Sequence, residues 1–264
     1  MPFPDSPRVV YKNNPLVEVI CQLRFPTILR IGSDQPADFQ ERIRAEYPLY
    51  GSQEAPIDLP QLPKGLAPIL EQINLPRPSR LATHRFITRD SRRFISLAQD
   101  FMALIELDYT RWEPFRQELE RAEAALRETY APAFFTRLGL RYRNVISRDR
   151  LGLAGAEWSD LLQPHIVAEL GDVAVSSQIA VTETASILRT LDVLGGQVRL
   201  LHGLVKDEET GEQCYAIDCD FSITEGKGIN EPFETLDKFH RLAGRLFRWA
   251  ITDVLHTAME PEAI

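Results

Sequence analysis

The chain has 264 residues, 44% hydrophobic and 26% charged, and a formal net charge of −8. These are the proportions of an ordinary globular protein, long enough for one large domain or two small ones around a sizeable core. The negative charge argues against a general nucleic-acid coat or a membrane-surface binder, both of which want positive charge, while leaving room for a local basic patch.

No apolar run approaches a bilayer span, and residues 1–8 lack the basic and apolar regions of a signal peptide. The expectation is a cytoplasmic protein with no membrane contact. The cysteines, Cys21, Cys214 and Cys219, are odd in number and sit in strand-like runs. They read as buried, reduced thiols.

In chain order, residues 16–25 alternate, with Val17, Val19, Cys21, Leu23 and Phe25 on one face and Glu18, Gln22 and Arg24 on the other. Period two with one apolar face predicts a half-buried strand, which Pro26 ends. A helix is predicted over residues 36–47, capped by Ser33 or Asp34, with Phe39, Ile43 and Tyr47 on one side. Residues 52–79 carry Pro56, Pro60, Pro63, Pro68, Pro76 and Pro78 and read as an extended surface insertion with a helical turn at 66–73. Three short strands follow, at 81–89, 93–99 and 102–108, with hairpins at Asp90-Ser91 and Asp100-Phe101. Trp112, Phe115, Leu119, Ala122 and Leu126 are at helical spacing, so residues 112–130 form a helix that Pro132 stops.

The pattern then restarts. Residues 134–146 are a strand with Phe134, Leu138, Leu140, Tyr142 and Ile146 on one face and Arg137, Arg141 and Arg143 on the other. A short helix is predicted at 158–163, then strands at 173–182, 187–193, 197–205 and 213–223, with turns at Gly195-Gly196 and 206–211. Gly226-Lys227-Gly228 reads as a further turn and at most a weak anion nest. A final helix runs to about Met259, with Leu236, Phe239, Ala243, Leu246, Phe247, Ala250 and Val254 as its core stripe.

Three residue matches recur in the same order in the two halves. Leu23-Arg24-Phe25 matches Leu140-Arg141-Tyr142, Ile105-Glu106-Leu107-Asp108-Tyr109 matches Ile217-Asp218-Cys219-Asp220-Phe221, and Glu113-Pro114-Phe115 matches Glu231-Pro232-Phe233. Proline and an acid suit a helix start, which needs no amide donor and favours negative charge. The expectation is an α+β protein made by internal duplication of a β-α-β(3-4)-α unit, residues 1–132 and 133–264, packed as one compact domain. Its strands would form one antiparallel sheet with the long helices on one face. This resembles the saddle of TATA-binding proteins; a helix-grip fold is the competitor.

Four stretches also carry a family resemblance: residues 11–19 (YKNNPLVEV), 136–144 (TRLGLRYRN), 217–220 (IDCD) and 247–252 (FRWAIT). Together they resemble a sporadically distributed, uncharacterised bacterial protein family of about this length. The resemblance implies no reaction and no site residues, and a patchy distribution associates with mobile or defence-related genes.

The polar sheet face is the first place to look for a site. It is expected to gather Arg24, Arg137, Arg141 and Arg143 from the repeat-opening strands and Glu106, Asp108, Asp218 and Asp220 from the closing ones. One reading is a set of cross-strand ion pairs. The other is an anion site of guanidinium forks, with Gly139 letting a ligand approach closely. Asp218 and Asp220, at i and i+2, share a face and raise the option of a metal, but a hard cation needs more oxygens than this pair supplies. The five histidines form no metal or protease motif, and His240 reads as a satisfied core or rim group. No phosphate loop or nucleophile elbow occurs, and no cofactor or metal is predicted. The leading expectation is a non-catalytic binding or interaction protein, a homo-oligomer or component of a complex. The alternatives are nucleotide or nucleic-acid recognition on the arginine-bearing face, and a metal-dependent hydrolase using the strand carboxylates.

Overall fold

In a computed structural model, residues 3–52, 83–172, 174–190 and 195–264 are described. The proline-rich insertion and its predicted helical turn lie almost wholly outside them. The elements of the first half are β1 (Val9–Tyr11), β2 (Leu16–Arg24), α1 (Arg30–Ser33), α2 (Ala37–Ile43), β3 (Leu49–Ser52), β4 (His84–Ile87), β5 (Arg93–Ala98), β6 (Phe101–Glu106) and α3 (Trp112–Tyr130). Then come β7 (Phe135–Ile146), α4 (Trp158–Leu161), α5 (Pro164–Val167), β8 (Glu183–Thr190), β9 (Gly196–Lys206), β10 (Gln213–Ile229), α6 (Pro232–Ala250), α7 (Asp253–Ala258) and β11 (Pro261–Ala263).

The fold is α+β. Nine strands form one sheet in the order β3-β4-β5-β6-β2-β7-β10-β9-β8, with antiparallel pairing throughout. Cross-strand partners share a face, so the ladders assign every side chain to one side of the sheet. One side carries Val19, Cys21 and Leu23 of β2, Leu138, Leu140 and Tyr142 of β7, and Ile217, Cys219 and Phe221 of β10. These side chains pack against Phe115, Leu119 and Leu126 of α3 and Leu236, Phe239 and Leu246 of α6 to make the main core. The two helices are apolar on one stripe and cover this face. The open face carries a smaller apolar group, Ile87, Phe94, Ala98, Phe101, Ala103 and Ile105, on β4 to β6. β1 and β11 pair separately and tie the N-terminal segment to the end of the described chain. Among the described residues no helix is long and apolar enough to cross a membrane.

Several expectations are corrected. Helix α2 starts from Pro36, and neither Ser33 nor Asp34 caps it. The β5–β6 turn is Gln99-Asp100, because Phe101 already pairs with Ala98. Phe135, not Phe134, is the core residue at the start of β7, where the β7–β10 register shifts between Thr224 and Ile229. No strand forms over residues 174–182: Asp172 caps the backbone of Ala174, a 3-10 turn follows at Ser176–Gln178, and Val181 is 76% exposed. Gly226-Lys227-Gly228 lies within β10 and makes no turn.

The last helix is also broken. Ile251 is extended and bridges to Leu162, while Thr252 starts α7, so Val254 points outward. The matched runs around Glu106 and Asp218 fall on opposite faces. Glu106 sits beside Val19 and Arg93 under the helices, whereas Asp218 sits beside Arg143 and Leu201 on the open face.

Candidate functional site

The predicted open-face arginines are all in place on β2 and β7, and each faces a carboxylate. Arg141 forms a bidentate pair with Asp218, its Nε at 2.8 Å from Oδ1. Arg143 Nη1 lies 2.7 Å from Glu18, with its Nε 3.9 Å from Asp218. Arg137 donates to Asp220 at 3.1 Å and to the side-chain Oε1 of Gln22 at 3.0 Å. Arg24 is the loosest, 4.0 Å from Asp100, and its buried Nε has no partner among the described residues. Burial opposes the charge on Arg141, but its hydrogen bonds and attraction to Asp218 outweigh that and raise its pKa. Burial raises the pKa of Asp220 despite Arg137 and Arg141 beside it.

Gly139 serves this network in an unforeseen way. A Cβ there would lie 2.4 Å from Arg137 Nη1, so the space opened by the glycine is filled by the guanidinium of Arg137 itself. Glu106 is separate from the cluster: it pairs with Arg93 beneath the helices, and burial raises its pKa. Asp108 is exposed beyond the end of β6. The four strand carboxylates are thus divided between the two sides of the sheet and cannot share one ion. Among the described residues no three His, Cys, Asp or Glu side chains converge as a metal site.

The cavity that stands out is on the other face. It is a partly open cleft of about 310 Å³ between the central strands, the start of α3, and α6, with the segment from Ser6 to Tyr11 along its outer side. That is the small end of the ligand-pocket range, about 300–1,000 Å³. Its floor is Tyr142 of β7 and Cys219 of β10, and Tyr109 and Trp112 enter from the β6–α3 connection. Helix α6 contributes His240, Arg241, Gly244, Phe247 and Arg248, which recur at three- and four-residue intervals and so form one stripe.

Hydrogen bonds fix the walls. The Tyr142 hydroxyl and His240 Nδ1 are 2.9 Å apart, and the His240 ring stacks on Trp112 at 4.9 Å and 7°. Trp112 Nε1 donates to Asp237 at 2.7 Å, joining α3 to α6. Asn14 donates to the Tyr109 carbonyl at 3.0 Å, and the N-terminal wall is held by Arg8–Glu113 at 2.7 Å and by Asp5 with Arg245.

The titratable groups of the floor are held neutral. Burial, helped by nearby Arg8, pushes the His240 pKa down to about 3. Burial drives the Tyr142 hydroxyl well above its ordinary value and raises the Cys219 thiol too. The Tyr109 hydroxyl is buried beside that of Tyr142, which acts on its titration as a hydrogen-bond partner, while Arg245 Nη1 is buried with no hydrogen-bond partner among the described residues. A helix-interior glycine costs about 1 kcal/mol relative to alanine. Gly244 is exposed at the mouth of the pocket, and a Cβ there would meet nothing within 4 Å.

Sequence periodicity assigned His240 to a core stripe and could not show that the stripe stops at a void. The pocket draws on distant parts of the chain: Tyr11, Asn14 and Leu16; Tyr142 and Asn144; Cys219; Phe247 and Arg248. No family model, curated protein or solved structure matches the chain.

Proposed function

We propose that the protein is a non-catalytic small-molecule-binding protein whose ligand occupies the pocket between β7, α3 and α6. The observation that carries this is a largely apolar cavity whose wall holds a buried polar atom, Arg245 Nη1, with no hydrogen-bond partner among the described residues. A buried polar group left unpaired costs about 1–3 kcal/mol, and a ligand that pairs it recovers that loss. The neutral state of His240, Tyr142 and Cys219 supports binding over chemistry, since none of them is poised to exchange a proton near neutral pH.

The finer architecture is part of the proposal. Read outward from the centre, the sheet runs β2, β6, β5, β4 and then β3 on one side and β7, β10, β9, β8 on the other, and each closing strand leads into a helix of 19 residues. That order supports an internal duplication with a saddle-like sheet. The opposite facing of the Glu106 and Asp218 runs removes one of the sequence matches from its support.

The test is a thermal-shift screen of small polar metabolites on the wild type and on Gly244→Leu in parallel. Gly244 lines the mouth of the pocket, where a leucine side chain has room and is expected to obstruct entry. Compounds that raise the melting temperature of the wild type and leave the variant unmoved are expected. A screen with no active compound, or one in which every active compound shifts both proteins alike, overturns the reading.

A further inference from the structure

The geometry points to a ligand class for this pocket: a small planar aromatic or heteroaromatic molecule bearing one carboxylate or phosphate. This inference rests on the pocket reading above and adds the chemistry of the occupant.

The inner part of the pocket is aromatic. Tyr11, Tyr109, Trp112, Tyr142, His240 and Phe247 line it, and their planes are set by edge contacts such as Tyr109–Tyr142 at 86° and Tyr11–Phe247 at 72°. Rings oriented in this way offer flat faces and edges to a further ring, and aromatic pairs contribute beyond their buried area.

The outer part is cationic. Arg8, Arg111, Arg241, Arg245 and Arg248 all line it, in a chain whose net charge is −8. Arg8, Arg245 and Arg248 have acidic partners in Glu113, Asp5 and Asp253. Arg111 and Arg241 have no ion-pair partner among the described residues. Arg241 and Arg245 are one turn apart on α6 and flank Gly244, and like charges at this spacing repel. Arg245 Nη1 is buried and unpaired beside them.

A bound anion would satisfy that nitrogen, offset the repulsion and use the planar forks that match carboxylate and phosphate oxygens. The Tyr109 hydroxyl, 9% exposed at the residue level, supplies a neutral polar contact at the inner end for a ring heteroatom or substituent. The bland account of the arginines is that cations favour the C-terminal half of a helix. That account explains neither the glycine between them nor the buried unpaired nitrogen.

The experiment is isothermal titration of the whole chain with 2-naphthoate, 2-naphthyl phosphate, neutral 2-naphthylmethanol and octanoate. The wild type, Arg241→Ala, Arg245→Ala and Gly244→Leu are compared after circular dichroism shows each folded. The expected result is binding of one or both naphthyl anions, about tenfold weaker in each arginine variant and absent in Gly244→Leu, a tenfold change being about 1.4 kcal/mol. Naphthylmethanol and octanoate should each bind at least tenfold more weakly than the better naphthyl anion. Which anion binds better distinguishes a carboxylate ligand from a phosphate. The ligand class is overturned if neither naphthyl anion binds at millimolar concentration. It is equally overturned if naphthylmethanol or octanoate matches them, or if both arginine variants bind as the wild type does. In the last two cases loss of binding in Gly244→Leu leaves the pocket reading standing; retention of binding in that variant removes the pocket reading itself.

Discussion

Asp218 shows how much a single open-face residue carries. Its carboxylate receives both forks of Arg141 and lies near Arg143, and Arg141 and Asp218 side chains are only 10% and 6% exposed. Removing one member of a buried pair leaves the other charged and unsolvated, at a cost of about 3–5 kcal/mol, whereas replacing both with apolar residues of similar volume is often nearly neutral. Asp218→Ala is therefore expected to lower the unfolding free energy by about 3–5 kcal/mol, while Arg141→Met combined with Asp218→Leu loses much less. Urea unfolding of the single and double variants checks this, and equal losses in the two would refute it. Strand periodicity in residues 137–143 was enough to place these arginines on one face. It could not show that the cluster is a closed ion-pair lattice, because Glu18 and the β10 carboxylates reach it through ladder register, which is a long-range property.

At the level of elements, the junction of α6 and α7 shows where local pattern yields to pairing. The apolar stripe continues from Leu236 through Ala250, and a helix of one piece to Met259 is what spacing alone predicts. Instead the Ala250 carbonyl accepts from Gln163 and the Thr252 amide donates to the Leu161 carbonyl, so the segment pairs with residues 161–163 in place of continuing its own helix. Thr252 then caps α7 by accepting from Leu255, and its hydroxyl donates to the Asp160 carbonyl at 2.6 Å. Losing a threonine cap costs about 1 kcal/mol. Thr252→Ala is expected to destabilise by about that much, whereas Thr252→Ser retains most of the stability. Thermal unfolding of the two variants distinguishes a cap from an incidental contact. The threonine-aspartate pair was a readable start signal; what concealed it was the uninterrupted hydrophobic stripe around it.

The molecule as a whole is predicted to lose stability in mild acid. His84 and His202 are buried, and His240 partly so, beside the hydroxyls of Tyr50, Tyr215 and Tyr142, and burial lowers the pKa of each. The unfolded chain protonates its histidines near pH 6.5 while the folded chain resists. Their contribution is therefore complete above that pH and is lost as pH falls toward the folded values, about 3 for His240. For His240 alone the loss amounts to about 2 kcal/mol at pH 5. Arg8, Glu113 and Arg241 are the charged groups around it, and Arg8 and Arg241 reinforce the shift while Glu113 opposes it. The raised pKa values of Glu106 and Asp220 act in the opposite sense at lower pH, in the carboxylate range. Urea denaturation at pH 7.5 and pH 5 measures the drop, and His240→Gln should reduce it; an unchanged pH dependence in that variant would show that the histidine is not its source.

What the sequence determined by itself is what depends on neighbours along the chain: the α+β class, most strands, the bounds of α3, the start of α6 at Pro232, and the alternation that puts Arg137, Arg141 and Arg143 on one side of β7. Periodicity reports which way a side chain points and nothing about what stands opposite. The strand order, the separation of Glu106 from Asp218 and the pocket at Gly244 were decided by tertiary structure alone. They arise where β7, α3, α6 and the N-terminal segment meet, and a void between four distant segments has no local signature in any of them.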